Sequence, residues 1–224
     1  MIKDIKLKEL LSHPENKRVI CKLFAEMTLA KLEALQKQYI VIEGTTILAN
    51  IPDWQQESHD QHEPDTLLPC TIRELHFNHH ASSGRAPSFR IFSPDTDVFI
   101  LGIHLVTLTG IEIVFKQITS KKRKVVSLQD VVSRLGITAC EALLPDYTFT
   151  GCDYTGKFNT ITKSRALKTL LKSAEDHDLM RGLKECGEQQ EISQNWIQSL
   201  HKFTVKLFTS KKQDYIRYSD LNEV

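Results

Sequence analysis

Carboxylates gather at three places in this chain, each beside a break in the local pattern. Glu63-Pro64-Asp65 opens an apolar-periodic stretch, Asp95-Thr96-Asp97 follows a short β-rich run, and Asp153 lies in Gly151-Cys152-Asp153-Tyr154 after a helical stretch. Carboxylate oxygens are what hard divalent cations prefer. Magnesium takes one or two of them and fills its remaining positions with water and substrate phosphate. A two-metal phosphodiesterase centre needs several carboxylates on one spot, with the ions about 4 Å apart. Each cluster alone also has an ordinary structural explanation. Asp in a Ser-Pro-Asp run is common turn chemistry, and Asp or Glu at a helix start pairs with the helix dipole.

The elements that must position these groups are read from periodicity and caps. Residues 12–36 predict a helix, with Ser12 and Glu15 at capping-box spacing and Val19, Ile20, Leu23, Phe24, Met27 and Ala30 on one face to be buried. Two β-rich runs, Tyr39–Ile42 and Thr46–Leu48, flank Gly44-Thr45 and predict a hairpin, followed by a polar loop over 50–62. Residues 65–80 predict a helix with Leu67, Leu68, Ile72, Leu75 and His76 on one face. Pro64 suits its first position, while Pro69 predicts a kink or a late start. After a turn at Ser82–Pro87, Phe89–Phe92 reads as a short buried strand ending at the Asp95/Asp97 tip. In an open α/β sheet, ligands bind beyond the carboxyl ends of the strands, and that is where these two aspartates fall.

Ile111–Ile118 and Lys124–Val126 predict a β pair around the basic turn Ser120-Lys121-Lys122-Arg123. Ser127 with Asp130, and Thr138 with Glu141, predict two capped helices, the second ended or kinked by Pro145 before the loop Thr150–Lys157. Ser164–Ser173 reads as a basic helix. Two more helices follow from Glu175, one with Met180, Leu183 and Cys186 on a face, the other holding Trp196, Leu200, Phe203, Val205 and Leu207; the tail after Ser210 is polar. Strands alternating with helices predict an α/β sandwich around a central, mainly parallel sheet. The expected division is an N-terminal helix and hairpin over 1–50, a core over 51–174, and a C-terminal helical segment over 175–224.

Taken in order, Glu63-Pro64-Asp65-Thr66, Ser93-Pro94-Asp95-Thr96-Asp97-Val98, Val126–Asp130 leading to Leu135-Gly136-Ile137, and Thr150-Gly151-Cys152-Asp153-Tyr154-Thr155 resemble the flap-endonuclease and XPG-like branch of the PIN-like nuclease superfamily. The resemblance covers roughly residues 60–172. The chain is also similar to a group of transposon-associated metazoan proteins with E-A-D-T, S-P-D-T-D-V and T-G-x-D blocks and a following G-K-F, here Gly156-Lys157-Phe158. The resemblance implies a PIN-like sandwich and hydrolysis of DNA or RNA phosphodiesters with two magnesium or manganese ions. By the same likeness, Glu63 and Asp65 help hold one metal, Asp95 and Asp97 are the central ligands, and Asp153 holds the second metal directly or through water. Lys157, Lys163, Arg165 and Lys168 are implied as nucleic-acid backbone contacts.

The chain departs from the family in two places. No strand carrying a first aspartate precedes Glu63; Ile40–Gly44 resembles the family's V-F-D-G only loosely, and Glu43 lies too close to Glu63 to leave room for a helical arch. The resemblance thus implies a chain that begins inside the domain. Asn159–Lys163 also has no glycine where the family has a glycine-rich, DNA-binding turn. Two rival expectations follow: a catalytically inactive PIN-like scaffold that binds nucleic acid or protein, and a fragment that folds poorly because its sheet lacks a strand.

Composition bounds the remaining classes. The chain has 224 residues, 41% hydrophobic and 25% charged, with 29 Lys and Arg against 28 Asp and Glu. A net charge of +1 excludes a uniformly basic nucleic-acid coat and requires any phosphate-binding surface to be local. Five cysteines without a C-x-x-C pair, and no apolar leader after Met1, predict an intracellular protein, nuclear or cytoplasmic, with no membrane partner. Oligomeric state leaves no mark that these patterns read. Lys121–Lys124 reads as a solvated turn before an import signal. His76 and His80 stand four apart near Cys70 but lack a second matching ligand pair for zinc, and Cys152 reads as a small buried residue.

Overall fold

A computed structural model describes residues 7–43, 46–51, 63–118, 123–152, 155–185 and 193–209. The chain divides into two units, Met1–His62 and Glu63–Val224. The first holds α1 (Leu7–Leu10), α2 (Pro14–Ala34) and a hairpin of β1 (Ile40–Glu43) and β2 (Thr46–Ala49), paired antiparallel with Ile40 opposite Ala49. Asn50 closes the hairpin, accepting from Tyr39 N at 2.7 Å and donating to the Lys37 carbonyl at 3.1 Å.

Two expectations fail in α2. Its N-cap is His13, with Pro14 as first helical residue, while the Ser12 hydroxyl donates to the Glu9 carbonyl at 2.7 Å. Proline's fixed φ and missing N–H suit the first position, and they override the capping box. The expected buried face is not buried either. No residue of α2 is buried, and Val19, Leu23, Phe24 and Met27 are 52–62% exposed. An amphipathic stripe needs a surface to lie on, and the described elements of this unit offer only a one-turn helix and a two-stranded ribbon.

The second unit begins with α3 (Pro64–Ser83), which starts at Pro64 and continues through Pro69, so the late start is not observed. One lost hydrogen bond is offset by burial of Leu67 and Ile72. Then come β3 (Phe89–Phe92), α4 (Thr96–Thr109), β4 (Ile113–Ile118), β5 (Arg123–Ser127), α5 (Leu128–Leu135), α6 (Ile137–Phe149), α7 (Lys163–Lys172), α8 (His177–Lys184) and α9 (Gln194–Phe208). The three strands form one sheet in the order β3-β4-β5, with β3 parallel and β5 antiparallel to β4. The sheet is therefore small and mixed, not mainly parallel. Only β3 and β4 are joined through a helix, α4. The four residues between β4 and β5 permit antiparallel pairing alone. β3 lies at the edge, so only Ile91 of that strand is buried and Phe92 is 60% exposed.

The core forms around α4, which buries Val98, Ile100, Gly102, Ile103, Leu105 and Val106. It packs against β4, where Ile113 and Phe115 are buried, and against α3, α5 and α6. The helices after residue 174 pack with those before it: α8 on α6, and α9 on α7 and α8, with Phe203 and Leu207 fully buried. Ser127 caps α5 as expected, accepting from Asp130 N at 3.2 Å. Thr138 does not cap α6. Gly136 holds that position, and α6 continues past Pro145 to Phe149 because Ala139, Cys140, Ala142 and Leu143 anchor it in the core. The fold is α/β, with helices predominating. Among the described residues no helix is long and apolar enough to cross a membrane.

Candidate functional site

β3 delivers Asp95 and Asp97 to the start of α4. The ladder extends one residue past the strand, Ser93 N donating to the Lys116 carbonyl at 3.2 Å. Ser93 Oγ then accepts from Asp95 N at 3.0 Å, turning the chain into the helix. Asp95 is the N-cap residue, yet its side chain accepts no bond from the helix. An N-cap aspartate ordinarily bonds the second or third helical N–H; here the carboxylate is exposed and uncommitted. Asp97, in the first turn, is half-buried, and its Oδ1 accepts from the Tyr147 hydroxyl at 2.5 Å.

Tyr147 lies near the end of α6, and Lys163, the first residue of α7, holds it from above. The Lys163 ammonium sits 3.7 Å from the centroid of the Tyr147 ring, donates to the Tyr147 carbonyl, and reaches Thr150 Oγ1 at 3.3 Å. The last carbonyls of a helix have no intrahelical donor, and a cation there meets both the orphan oxygen and the negative end of the dipole. Beside it, Asp146 is 3% exposed, and its Oδ1 has no hydrogen-bond partner. Burial pushes its carboxyl up to about 7, against the pull of Lys163. Burial also lowers the Lys163 ammonium, while Asp146, Cys152 and Asp97 hold it up. One cation thus stands in the field of three acidic groups brought from α4, α6 and the segment after α6.

That segment is tightly built. Gly151 has φ +107°, and a Cβ there would run into the backbone of Lys157, so both conformation and space require glycine. The Thr155 hydroxyl donates to the Thr148 carbonyl at 2.6 Å and accepts from Cys152 N at 3.0 Å. Cys152 is half-buried rather than buried, because its thiol lies beside this hydroxyl, 3.4 Å away, at the surface. Where the family resemblance led to a glycine turn, Thr160 takes φ +68°, a conformation a β-branched residue seldom adopts. Thr162 then caps α7, accepting from Arg165 N at 3.2 Å.

Of the expected acidic residues, Asp95 and Asp97 share the start of α4, and Asp153 lies outside the described residues. Glu63 immediately precedes α3, its carbonyl accepting from Leu67 N at 3.0 Å, and Asp65 is in the first turn of that helix, which packs on α4. Among the described residues no three His, Cys, Asp or Glu side chains converge closely enough to hold a metal, at these positions or at His76. Of the basic residues, Lys157 and Lys168 are exposed, Lys163 is turned onto α6, and Arg165 Nη2 donates to the Thr209 carbonyl at the end of α9, 3.4 Å away. Lys121, Lys122 and Cys186 lie outside the described residues. Sequence reading missed Tyr147 and Asp146. Both follow Pro145, where the helix was expected to fail, and a tyrosine fifty residues from its aspartate leaves no spacing signal. No protein-family model, curated protein or solved structure matches this chain.

Proposed function

We propose that this chain carries a metal-dependent, phosphodiester-hydrolysing site of the PIN-like, flap-endonuclease type, acting on DNA or RNA and centred on Asp95 and Asp97. The observation that carries this reading is the hydrogen bond from Tyr147 to Asp97. It ties the end of α6, fifty residues away in sequence, to the start of α4, where Asp97 lies.

The donors present fit a hard cation. Asp95 is exposed and caps nothing, and Asp97 uses Oδ1 alone, with no described residue bonded to Oδ2. Buried Asp146, its Oδ1 without a hydrogen-bond partner and its carboxyl pushed up to about 7 by burial, lies in the same region beside the Lys163 ammonium. Asp95 and Asp97 would hold magnesium or manganese, with Glu63, Asp65 and Asp153 as the further ligands the resemblance implies. A bound divalent ion supplies an activated water and neutralises charge on the phosphate. Tyr147 fixes the rotamer of Asp97 by donating to one oxygen, which leaves the other for the cation. Of the expected backbone contacts, Lys157, Lys163 and Lys168 are exposed and Arg165 is half-buried. The test is manganese titration of the purified chain, followed by incubation with branched and single-stranded DNA and RNA, beside an Asp95→Asn, Asp97→Asn double variant. Cleavage by the parent alone is the expected result. A well-folded parent that neither binds manganese nor cleaves would overturn the reading and leave the inactive scaffold.

A further inference from the structure

Helix α2 carries an apolar stripe that no described element of its own unit covers. It has 21 residues, none buried, with Val19 62%, Leu23 52%, Phe24 62% and Met27 61% exposed. In proteins most of a helix's stability comes from packing its amphipathic face. Its pattern names the packing it suits. Ile20, Leu23, Met27, Ala30 and Ala34 alternate at spacings of three and four, the a and d positions of a heptad. Ile20 is half-buried, and the other four are exposed. Isoleucine at a followed by leucine at d favours two strands, and the small Ala30 and Ala34 let the helices approach at their far end.

The flanking positions identify the partner. Val19 and Glu26 fall at g, Phe24 and Lys31 at e. In a parallel pair each g residue faces the residue five places on in the other helix. Val19 then meets the partner's Phe24, and Glu26 meets the partner's Lys31, each contact made twice by symmetry. Apolar flank meets apolar flank, and anion meets cation. An antiparallel pair would set g against g and e against e, placing Glu26 against apolar or acidic residues and Lys31 against lysine or phenylalanine. We propose that α2 is a self-association surface, pairing in parallel with α2 of a second copy of this chain through Ile20, Leu23 and Met27 and fixed in register by reciprocal Glu26–Lys31 pairs. This is independent of the nuclease reading.

The test is sedimentation velocity of the full chain across a concentration series up to about 100 μM, a range that captures micromolar association. The parent is expected to dimerise, and Leu23→Glu with Met27→Glu to be monomeric with unchanged circular dichroism outside a loss of helix in α2. Glu26→Lys alone and Lys31→Glu alone should each weaken the dimer roughly five- to tenfold, because an attractive flank pair becomes repulsive twice. The double exchange Glu26→Lys, Lys31→Glu should restore it. A parent that stays monomeric would overturn the proposal and give the stripe to another occupant. A dimer indifferent to Leu23 and Met27, or one that the double exchange fails to restore, would overturn it equally.

Discussion

Replacing Asp146 by asparagine is expected to stabilise the protein at neutral pH and to do little in mild acid. The carboxyl titrates at about 7 in the fold against an ordinary value of 3.8, and burial is the largest cause. A group whose folded value is raised binds its proton more tightly in the native state than in the unfolded one. Between pH 4 and 7 the unfolded chain releases that proton while the native state keeps it, so stability falls with rising pH across this window and levels off above it. Three units at about 1.4 kcal/mol each set the ionisation penalty at roughly 4 kcal/mol above pH 7. Asparagine keeps the shape and removes the titration. Lys163 takes back part of the gain: burial already disfavours its ammonium, and the variant removes an anion that supports it. The net effect expected is about 2 kcal/mol at pH 8, falling towards zero near pH 4.

Urea unfolding of parent and variant at half-unit steps from pH 4.5 to 8, followed by circular dichroism, reads both curves; the steps and limits are set on the order of the window itself. The parent should lose stability as pH rises, and the variant should lose much less. A variant less stable than the parent at pH 8, by an amount that does not change with pH, would refute the reasoning. It would mean that Asp146 is ionised throughout and that its pairing with Lys163 outweighs the cost of burial.

Other predictions follow from the same region. Tyr147→Phe removes the hydroxyl that orients Asp97 and keeps the ring under Lys163; manganese affinity by calorimetry should fall roughly 10- to 100-fold with the melting temperature almost unchanged. Gly151→Ala should destabilise by about 2 kcal/mol or more by urea unfolding, since the backbone is left-handed and Lys157 fills the space a Cβ needs. Thr160→Gly should stabilise by up to about 1 kcal/mol in the same assay, the relief of positive φ outweighing glycine's chain entropy. Asp176→Asn weakens pairs with Lys202 at 2.7 Å and Lys206 at 3.0 Å and the cap on α8, and should cost about 1 kcal/mol.

Local features were the ones legible in the sequence. The β1–β2 hairpin, the β4–β5 pair and the Ser127 cap depend on neighbours in the chain, and periodicity or turn chemistry reveals them. That Asp95 and Asp97 follow β3 was legible for the same reason, whereas helix α4, which they open, was not predicted, because Val98–Val106 is apolar on every face and carries no helical period. Where competing local signals met, tertiary packing decided. Pro69 and Pro145 both stay inside helices because Leu67, Ile72, Ala142 and Leu143 are buried around them. The apolar face of α2 was read correctly as a pattern and wrongly as buried, since periodicity shows that a face seeks cover and not whether the unit supplies it.

Lys163 shows what a reading by residue type leaves out. A lysine in a basic helix next to an acidic motif looks like a phosphate contact. The structure adds contacts within the fold that its type does not reveal. As the first residue of α7 it stands at the positive end of its own helix dipole, where a cation is disfavoured. Turning back onto α6 takes it to the negative end of another helix, where the Tyr147 carbonyl accepts from it and the Tyr147 ring offers its face. Buried Asp146 lies on the same side and, to the extent that it ionises, supports the ammonium. Tyr147 in turn donates to Asp97, so the start of α7 is linked to the carboxylate at the start of α4 through one aromatic side chain. A reading by residue type assigns that lysine to a ligand. A reading by dipole adds a place for it within the fold, at the end of α6 beside the tyrosine that bonds Asp97.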